Sequence, residues 1–252
     1  MPGKWLPIDS YLITCEHAGN QIPRPWRGLF RGQRALLDSH RDYDPGALLM
    51  ARSLAAAFNA PLVTSSISRL VVDLNRSIGH PRLFSAATRS LPATLRTKIV
   101  ELHYRPYRDQ VELLVGQSVA RGRRVIHISS HSFTPELDGK VRTADVGLLY
   151  HPARSGEVRL CARWKASLAA LAPALRVRRN YPYAGKGDGL TSHLRRRYPP
   201  GACVGIELEI NQGIVFAAGR RWKALRGVLI DSLRVACDGA LSAPINQRSK
   251  GH

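Results

Sequence analysis

Histidines stand at the ends of two predicted strands that are far apart in the sequence. His17 follows the apolar run at residues 11–15, and His131 follows the apolar run at residues 125–129. A single histidine at such a position is more often a hydrogen-bonded structural residue than a metal ligand. Two imidazoles and a carboxylate that leave one position for water are, however, the ligand set of catalytic zinc. Strand ends border the ligand crevice of open α/β sheets, so His17 and His131 are predicted to bind one zinc ion per chain.

The third zinc ligand is open between two nearby carboxylates. Asp44 precedes Pro45 in the polar stretch 40–46, so it is a candidate ligand and equally a candidate N-cap for a helix that begins at Pro45. Glu16 is adjacent to His17 but faces the opposite side of the strand if the strand continues. We therefore predict Asp44 as the third ligand and keep Glu16 as the weaker alternative.

Two carboxylates alternate along another predicted strand, at residues 203–210. Glu207 and Glu209 are two positions apart, so their side chains project from the same face. Two acids on one face of a central strand are hard to bury without partners or a chemical task. Glu209 is nearer to the carboxyl end of the strand, and we predict that it is the general base, with Glu207 as the alternative.

An amide and a guanidinium stand side by side after an apolar segment, at Asn75 and Arg76. Together they offer charge-assisted, bidentate hydrogen bonds to a substrate carboxylate. Asp73 would orient one of them, and the alternative is a surface salt-bridge network. Arg69 is a candidate to stabilise a developing oxyanion, although it could equally pair with Asp73.

Two residues close to these motifs have other interpretations. Period-two alternation predicts that His127, Ser129 and His131 point to one side of their strand. Ile126 and Ile128 then point to the other side. His127 lies inside this predicted strand and is best explained as a core histidine. Cys15 and His17 share a strand face, so a cysteine hydrolase that uses Cys15 with His17 or His131 is a second enzymatic hypothesis. It is the weaker one, because no helix N-terminus stands beside Cys15 to activate the thiol.

The elements that must position these residues alternate between short apolar runs and longer segments of helical period. This pattern is typical of an α/β domain. Strands are predicted at residues 11–15, 61–65, 125–129, 146–150 and 203–210. Helices are predicted at residues 45–58, 91–121 with an interruption near Pro106, 156–170, 187–197 and 220–240. Because no repeat or linker divides the chain, we predict one domain over residues 1–240 and a disordered tail at 241–252.

The chain is strongly basic, with 38 Lys and Arg against 18 Asp and Glu, a formal net charge of +20. Such a charge attracts anions and raises the hypothesis of a non-enzymatic anion-binding or nucleic-acid-binding protein on a hydrolase scaffold. The basic residues, however, occur in small clusters without the interleaved aromatic residues that single-strand binders use. We expect no specific nucleic-acid partner.

Composition also bears on the cellular compartment. The four cysteines are far apart and form no C-x-x-C pair, which indicates reduced thiols rather than disulfides or a cysteine-ligated zinc. No stretch approaches the roughly 18 uninterrupted apolar residues of a membrane span, and the first residues lack the apolar core of a signal peptide. A cytoplasmic enzyme without a membrane partner is expected, and its oligomeric state stays open.

The ordered set of motifs resembles the N-formylglutamate amidohydrolase family over about 200 residues. The matching strings are Cys-Glu-His-Ala-Gly-Asn at 15–20, Tyr-Asp-Pro-Gly at 43–46, Asp-Leu-Asn-Arg at 73–76, His-Ser-Phe-Thr-Pro at 131–135, Ala-Asp-Val-Gly-Leu at 144–148, Asn-Tyr-Pro-Tyr-Ala-Gly at 180–185 and Glu-Leu-Glu-Ile-Asn-Gln at 207–212. The resemblance implies a zinc-carboxypeptidase-like fold of the phosphorylase/hydrolase-like type, with three α/β/α layers and a central mixed sheet.

The same resemblance implies an activity and assigns roles to residues. It implies cleavage of the amide bond of an N-acyl amino acid such as N-formyl-glutamate, or of another carboxylate-bearing amide, by a zinc-activated water. Carried over by motif, the resemblance implies that His17 and His131 bind zinc and that Glu209 is the base. It implies that Asn75 and Arg76 bind the substrate carboxylate.

Two positions depart from the pattern of these families. Zinc carboxypeptidases have a glutamate three residues after the first histidine ligand, where this chain has Asn20, a poor zinc ligand. The amidohydrolase family tends to have a histidine after the Pro-Tyr pair at 106–107, where this chain has Arg108. The first departure leaves the third zinc ligand open, and the second predicts a different substrate preference if that histidine helps to define the substrate.

Overall fold

A central sheet organises the fold in a computed structural model that describes residues 9–37, 39, 42–217 and 219–238. Within these residues the sheet has six strands, β1 (Asp9–Cys15), β2 (Leu62–Thr64), β3 (Arg124–Phe133), β6 (Val146–Leu149), β7 (Val177–Arg179) and β8 (Cys203–Asn211). Two more strands, β4 (Glu136–Leu137) and β5 (Lys140–Val141), form a separate antiparallel hairpin.

The strand order in the sheet is β2-β1-β3-β8-β6-β7. The first four strands in this order are parallel, β6 runs antiparallel to β8, and β7 runs parallel to β6. The predicted mixed sheet is therefore confirmed, and β8, which carries the two acidic residues, is an interior strand. Because β1, β3 and β8 are parallel, their carboxyl ends meet at one edge, where the side chains of a site can converge.

Helices cover both faces of the sheet. In the described chain they are α1 (Arg34–Leu37), α2 (Ala47–Phe58), α3 (Ala86–Arg89), α4 (Ala93–Ile99), α5 (Arg105–Ala120), α6 (Ser155–Leu171), α7 (Leu190–Arg197), α8 (Gln212–Phe216) and α9 (Gly219–Asp238), with a 3₁₀-helix at Arg24–Phe30 and a π-helical turn at Val100–Tyr104. Helices α2, α6 and α9 bury their apolar residues against one face, and α5 and α7 bury theirs against the other. The three-layer α/β/α architecture is thus confirmed.

Alternation along β3 separates core residues from site residues. Ile126 and Ile128 pack into the core under α2, α6 and α9, whereas His127 and His131 lie on the opposite face. The strand is longer than predicted, because it pairs with β8 as far as Phe133. His131 is therefore held inside the sheet opposite Glu209, rather than in a loop after the strand.

Helix α2 begins two residues later than predicted, and Asp44 is not its N-cap. The N-cap is Gly46, which has a φ of +80° and no side-chain hydrogen bond. A Cβ on Gly46 would lie 2.6 Å from Val215 Cγ1, so a glycine is required there for space as well as for conformation. The alternative role of Asp44 as an N-cap is therefore not observed, because the chain turns at Gly46 and the Asp44 carboxylate points to two imidazoles.

The shorter elements differ most from expectation. The strands β4, β5 and β7 were not predicted, since two or three residues are too few to show a period. The interruption near Pro106 exists as the π-helical turn between α4 and α5. The predicted helix end at Ala240 and the tail at 241–252 lie outside the described residues, and the single domain over 1–240 stays a prediction.

None of the helices in the described part of the chain combines the length and apolar composition that a membrane crossing requires.

Candidate active site

A cavity of about 470 Å³ opens at the carboxyl ends of β1, β3 and β8. A volume of this size suits a small-molecule ligand. Its walls bring together every residue that we predicted for metal binding, substrate binding or catalysis, namely His17, Asp44, Arg69, Asn75, Arg76, His131 and Glu209. These residues come from five separate segments of the sequence, and the strand order of the sheet makes them neighbours.

Three ligand-type side chains converge on one point of this cavity. The Asp44 carboxylate lies 3.3 Å from His17 Nδ1 and 2.8 Å from His131 Nδ1. One ligand atom from each of His17, Asp44 and His131 lies within 4.8 Å of the other two, and all three side chains are buried. Two imidazoles and one carboxylate in this arrangement form a candidate metal site whose donor set fits zinc.

The outer nitrogens of both imidazoles are held by further carboxylates. His17 Nε2 donates to Asp73 Oδ1 over 2.8 Å, and His131 Nε2 lies 3.1 Å from Glu16 Oε2. Because Nε2 is occupied, each imidazole presents Nδ1 to the side of Asp44. Glu16, the alternative third ligand, therefore stands behind His131, and its contact is with the nitrogen that faces away from Asp44.

Glu16 is fixed in this place by two hydroxyl groups. Ser129 Oγ donates to Glu16 Oε2 over 2.7 Å, and Tyr107 Oη donates to Glu16 Oε1 over 3.1 Å. Burial alone would raise the pKa of Glu16, but the hydrogen bond and the charge of His131 lower that pKa below its usual range. The sequence signal for Ser129 was its place between His127 and His131 on one strand face, whereas Tyr107 had none.

Asp73 connects the metal-ligand candidates to the polar loop that follows it. Its carboxylate accepts hydrogen bonds from Arg69 over 2.7 Å, from His17 and from the Asn75 backbone N–H over 2.9 Å. Burial would raise the pKa of Asp73, but the charges of Arg69 and His17 hold it well below its usual value. Asp73 thus supports His17 and the start of the loop. It was predicted to orient Asn75 or Arg76, and it bonds to the backbone of Asn75.

Asn75 and Arg76 lie in the cavity wall with their orientations fixed by backbone groups. Asn75 Oδ1 accepts from the Leu190 N–H over 2.7 Å, and Arg76 Nη1 donates to the carbonyls of Asn75 and Asp188, each over 2.9 Å. Arg69 also lines the cavity, 3.7 Å from Asp44 Oδ1 in addition to its bond with Asp73. The two guanidiniums give this part of the wall a positive charge.

The two acidic residues of β8 both line the cavity. Glu209 is buried, and its Oε2 atom has no hydrogen-bond partner among the described residues. Burial raises the pKa of Glu209 to about 8, and the negative charges of Asp44 and Glu207 act in the same direction. Burial also raises the pKa of Glu207. A carboxylate whose pKa lies near neutral pH suits proton transfer at that pH.

The remaining sequence candidates lie elsewhere. Cys15 is buried in the core on the α2 side of the sheet, and burial raises the pKa of its thiol well above the usual value, so the cysteine-hydrolase hypothesis has no structural basis. His127 is buried and hydrogen-bonded to Thr14 Oγ1 over 2.9 Å, as expected for a core histidine. Asn20 is exposed and donates to the Leu37 carbonyl.

Comparison with known proteins finds one matching family and several similar structures. The family model of N-formylglutamate amidohydrolase matches residues 9–216. The crystal structure of gene product Atu2144 from Agrobacterium tumefaciens is similar, with 31% identity, a TM-score of 0.81 and coverage of 92% of each chain. The sequence has no match among curated proteins.

Two further structures are similar at lower sequence identity. N-formylglutamate amidohydrolase from Ralstonia eutropha JMP134 has 16% identity and a TM-score of 0.69 over 96% of this chain and 97% of that chain. A metallo-carboxypeptidase from Burkholderia cenocepacia has 11% identity and a TM-score of 0.40 over 95% of this chain and 60% of that chain.

The family match covers most of the 252 residues and includes every side chain of the cavity cluster described above. The crystal structure of Atu2144 agrees with this extent, because its similarity also covers 92% of each chain. The chain belongs to the N-formylglutamate amidohydrolase family.

Proposed function

We propose that this chain is a zinc-dependent amidohydrolase that cleaves the amide bond of a small N-acyl amino acid such as N-formyl-glutamate. The observation that carries the proposal is the convergence of the His17, Asp44 and His131 ligand atoms beside Glu209 and Arg76 in a single cavity. Family membership supports a hydrolase of this class. The identities of the acyl group and of the amino acid in the substrate are also proposed.

The metal would be held by Nδ1 of His17, Nδ1 of His131 and the carboxylate of Asp44. Bound zinc supplies an electrophile for the scissile carbonyl and acidifies water at neutral pH. Asp73 and Glu16 hold the two imidazoles in the orientation that exposes Nδ1. Carboxylates behind metal-binding histidines orient the ring and increase its basicity.

Glu209 is the proposed general base. It takes a proton from the attacking water through its carboxylate and later donates that proton to the leaving amine. Its position supports this role, because it is opposite His131 in the sheet and lines the cavity with an oxygen that has no hydrogen-bond partner in the described part of the chain. Arg69 is proposed to stabilise the negative charge that develops on the carbonyl oxygen. Its guanidinium is kept in place by Asp73.

A metal analysis combined with a substrate panel tests the whole proposal. The purified protein is expected to contain one zinc per chain and to hydrolyse N-formyl-glutamate, or another N-acyl amino acid of the panel, in a reaction that a chelator stops and zinc restores. A protein without bound metal that hydrolyses none of these amides, and instead binds DNA of any sequence with steep salt dependence, would favour the non-enzymatic hypothesis.

Replacement of Arg76 tests how the substrate carboxylate is bound. Arg76→Ala should remove a charge-assisted hydrogen bond worth roughly 1.5–3 kcal/mol, about ten- to a hundredfold in kcat/KM. Arg76→Lys should recover little, because a lysine keeps the charge but not the planar fork. The measurement is steady-state hydrolysis of N-formyl-glutamate.

The matched control for Arg76 is a substrate whose carboxylate has been converted to a neutral amide. This analogue should be a poor substrate of the parent enzyme, and Arg76→Ala should hardly change its kcat/KM, because there is no contact to lose. Equal losses on the acid and on the amide would show that Arg76 has a structural role through its bonds to the Asn75 and Asp188 carbonyls.

Replacement of the carboxylates behind the histidines should weaken zinc binding. Glu16→Gln and Asp73→Asn are each expected to raise the dissociation constant for zinc about 10- to 100-fold, the usual effect of removing such a partner. The measurement is competition with a chromophoric chelator. Glu157→Gln is the control, since Glu157 is equally buried but pairs with Arg154 and Arg195. The same dissociation constant in all three variants would contradict the proposed support.

A further inference from the structure

Two side chains from one face of the α5 region hold the backbone of the loop that carries Asn75 and Arg76. Tyr104 Oη donates to the Arg76 carbonyl over 2.7 Å, and Arg108 Nη1 donates to the Leu74 carbonyl over 3.0 Å. The two carbonyls flank Asn75, so the loop is held on both sides of its amide. The proposed mechanism gives neither Tyr104 nor Arg108 a role.

The local sequence explains why these two side chains reach the same loop. Residues four apart on a helix lie on one face, and the Arg108 guanidinium stacks 5.3 Å from the centre of the Tyr104 ring. The helix widens into the π-helical turn Val100–Tyr104 just before Pro106. Since proline has no backbone N–H to donate to the preceding turn, Pro106 favours such an irregularity, and π-turns are frequent at functional sites.

Arg108 is an unusual residue to find in this position. Its side chain is only 3% exposed, and its Nη2 atom has no hydrogen-bond partner among the described residues. Nor does any carboxylate in that part of the chain form a salt bridge with it. A buried cation without a counter-charge is costly. Arg108 is not among the residues that line the cavity, and its positive charge beside the loop favours an anionic ligand.

The contacts of the loop show how the position of its backbone affects the side chains that line the cavity. Asn75 Oδ1 is bonded to the Leu190 N–H, and Arg76 Nη1 is bonded to the Asp188 carbonyl, both in the segment that precedes and begins α7. A shift of the 74–76 backbone would pull both side chains from these partners. The orientation of the Arg76 guanidinium thus depends on the carbonyls that Tyr104 and Arg108 hold.

We propose that Tyr104 and Arg108 are positioning residues that fix the Asn75–Arg76 loop for binding of the substrate carboxylate. This inference rests on the proposed role of Arg76. The two residues act through the loop and touch neither the metal-ligand candidates nor Glu209. Their loss should therefore weaken substrate binding and leave the chemical step unchanged.

Tyr104→Phe is the sharper test, because it removes one hydroxyl and leaves the ring under Arg108. With N-formyl-glutamate and the zinc-loaded protein, we expect KM to rise roughly three- to tenfold, as for the loss of one hydrogen bond, with kcat unchanged. Arg108→Met should raise KM at least as much. Tyr198→Phe is the matched control, since Tyr198 Oη also donates to a backbone carbonyl, that of Glu112, and is not part of the cavity. It should leave KM unchanged.

A double-mutant cycle with Arg76→Ala decides whether the effect passes through the loop. In the Arg76→Ala background, Tyr104→Phe should raise KM less than in the parent, because the Arg76 contact that it positions is already gone and only the Asn75 contact remains. An equal rise in KM in both backgrounds would overturn the inference, as would a fall in kcat with unchanged KM.

The cycle also separates this inference from the function on which it rests. If Arg76→Ala raises KM while Tyr104→Phe and Arg108→Met do not, only the positioning role is wrong. If Arg76→Ala has no effect on the carboxylate substrate, the proposed role of Arg76 fails and the inference fails with it. Should Arg108→Met not fold, Tyr104→Phe carries the test by itself.

Discussion

Replacement of His131 by alanine is expected to remove the bound zinc and to abolish hydrolysis. His131 lies in the sheet between two carboxylates, with Asp44 at Nδ1 and Glu16 at Nε2. Its loss leaves only His17 and Asp44 as candidate ligands, which are too few protein ligands for a tetrahedral zinc site. Since the metal contributes several kcal/mol of transition-state stabilisation, turnover should fall by at least about a thousandfold. His17→Ala should give the same result.

Metal content and stability are measured separately for these variants. Zinc is determined on the purified protein, and folding is checked by circular dichroism and thermal unfolding. His127→Asn is the control, because His127 is a buried histidine of the same strand and face that contacts Thr14 and does not line the cavity. It should keep its zinc as long as it folds. Full zinc occupancy in His17→Ala or His131→Ala would refute the proposed ligand set.

Replacement of Glu209 by glutamine is expected to lower kcat at least about a hundredfold while the fold and the zinc remain. A positioned acid or base contributes typically 10²–10⁴-fold, and a glutamine of nearly the same shape cannot accept and return the proton. Burial raises the pKa of Glu209 to about 8, so the site disfavours the charged form of this carboxyl. The measurements are steady-state kinetics and zinc content.

Glu207→Gln provides a matched control on the same strand. Glu207 projects from the same face two residues earlier and also lines the cavity, but it is paired with Leu149 of β6 and Ser129 of β3 rather than with His131. It should retain most of its activity. A hundredfold loss in Glu207→Gln, with activity preserved in Glu209→Gln, would transfer the role of base to Glu207.

Side-chain alternation was enough to predict which residues share a face. Period two along residues 125–131 and 203–210 correctly separated Ile126 and Ile128 from the histidines, and kept Glu207 and Glu209 together. This inference needs only local geometry, because successive residues of any strand point to opposite sides. The α/β class, the mixed sheet and the main helices followed from periodicity and from the family resemblance.

Contacts between distant segments were not available from such patterns. The sequence left Asp44 open between a helix cap and a metal ligand, and it left Glu16 as an alternative ligand. In the fold, Gly46 takes the capping position, Asp44 faces both imidazoles, and Glu16 stands behind His131. These outcomes depend on how β1, β3 and the turn before α2 are stacked, which is a property of the whole sheet.

The same division holds for the loop at residues 74–76. The sequence singled out Asn75 and Arg76 by residue type, and it marked Arg108 only as a departure from a family pattern. That Arg108 and Tyr104 bond to the carbonyls on either side of Asn75 became visible only in the tertiary structure. Residue type determines what chemistry a side chain can perform, whereas its partner is determined by packing of segments that no local period relates.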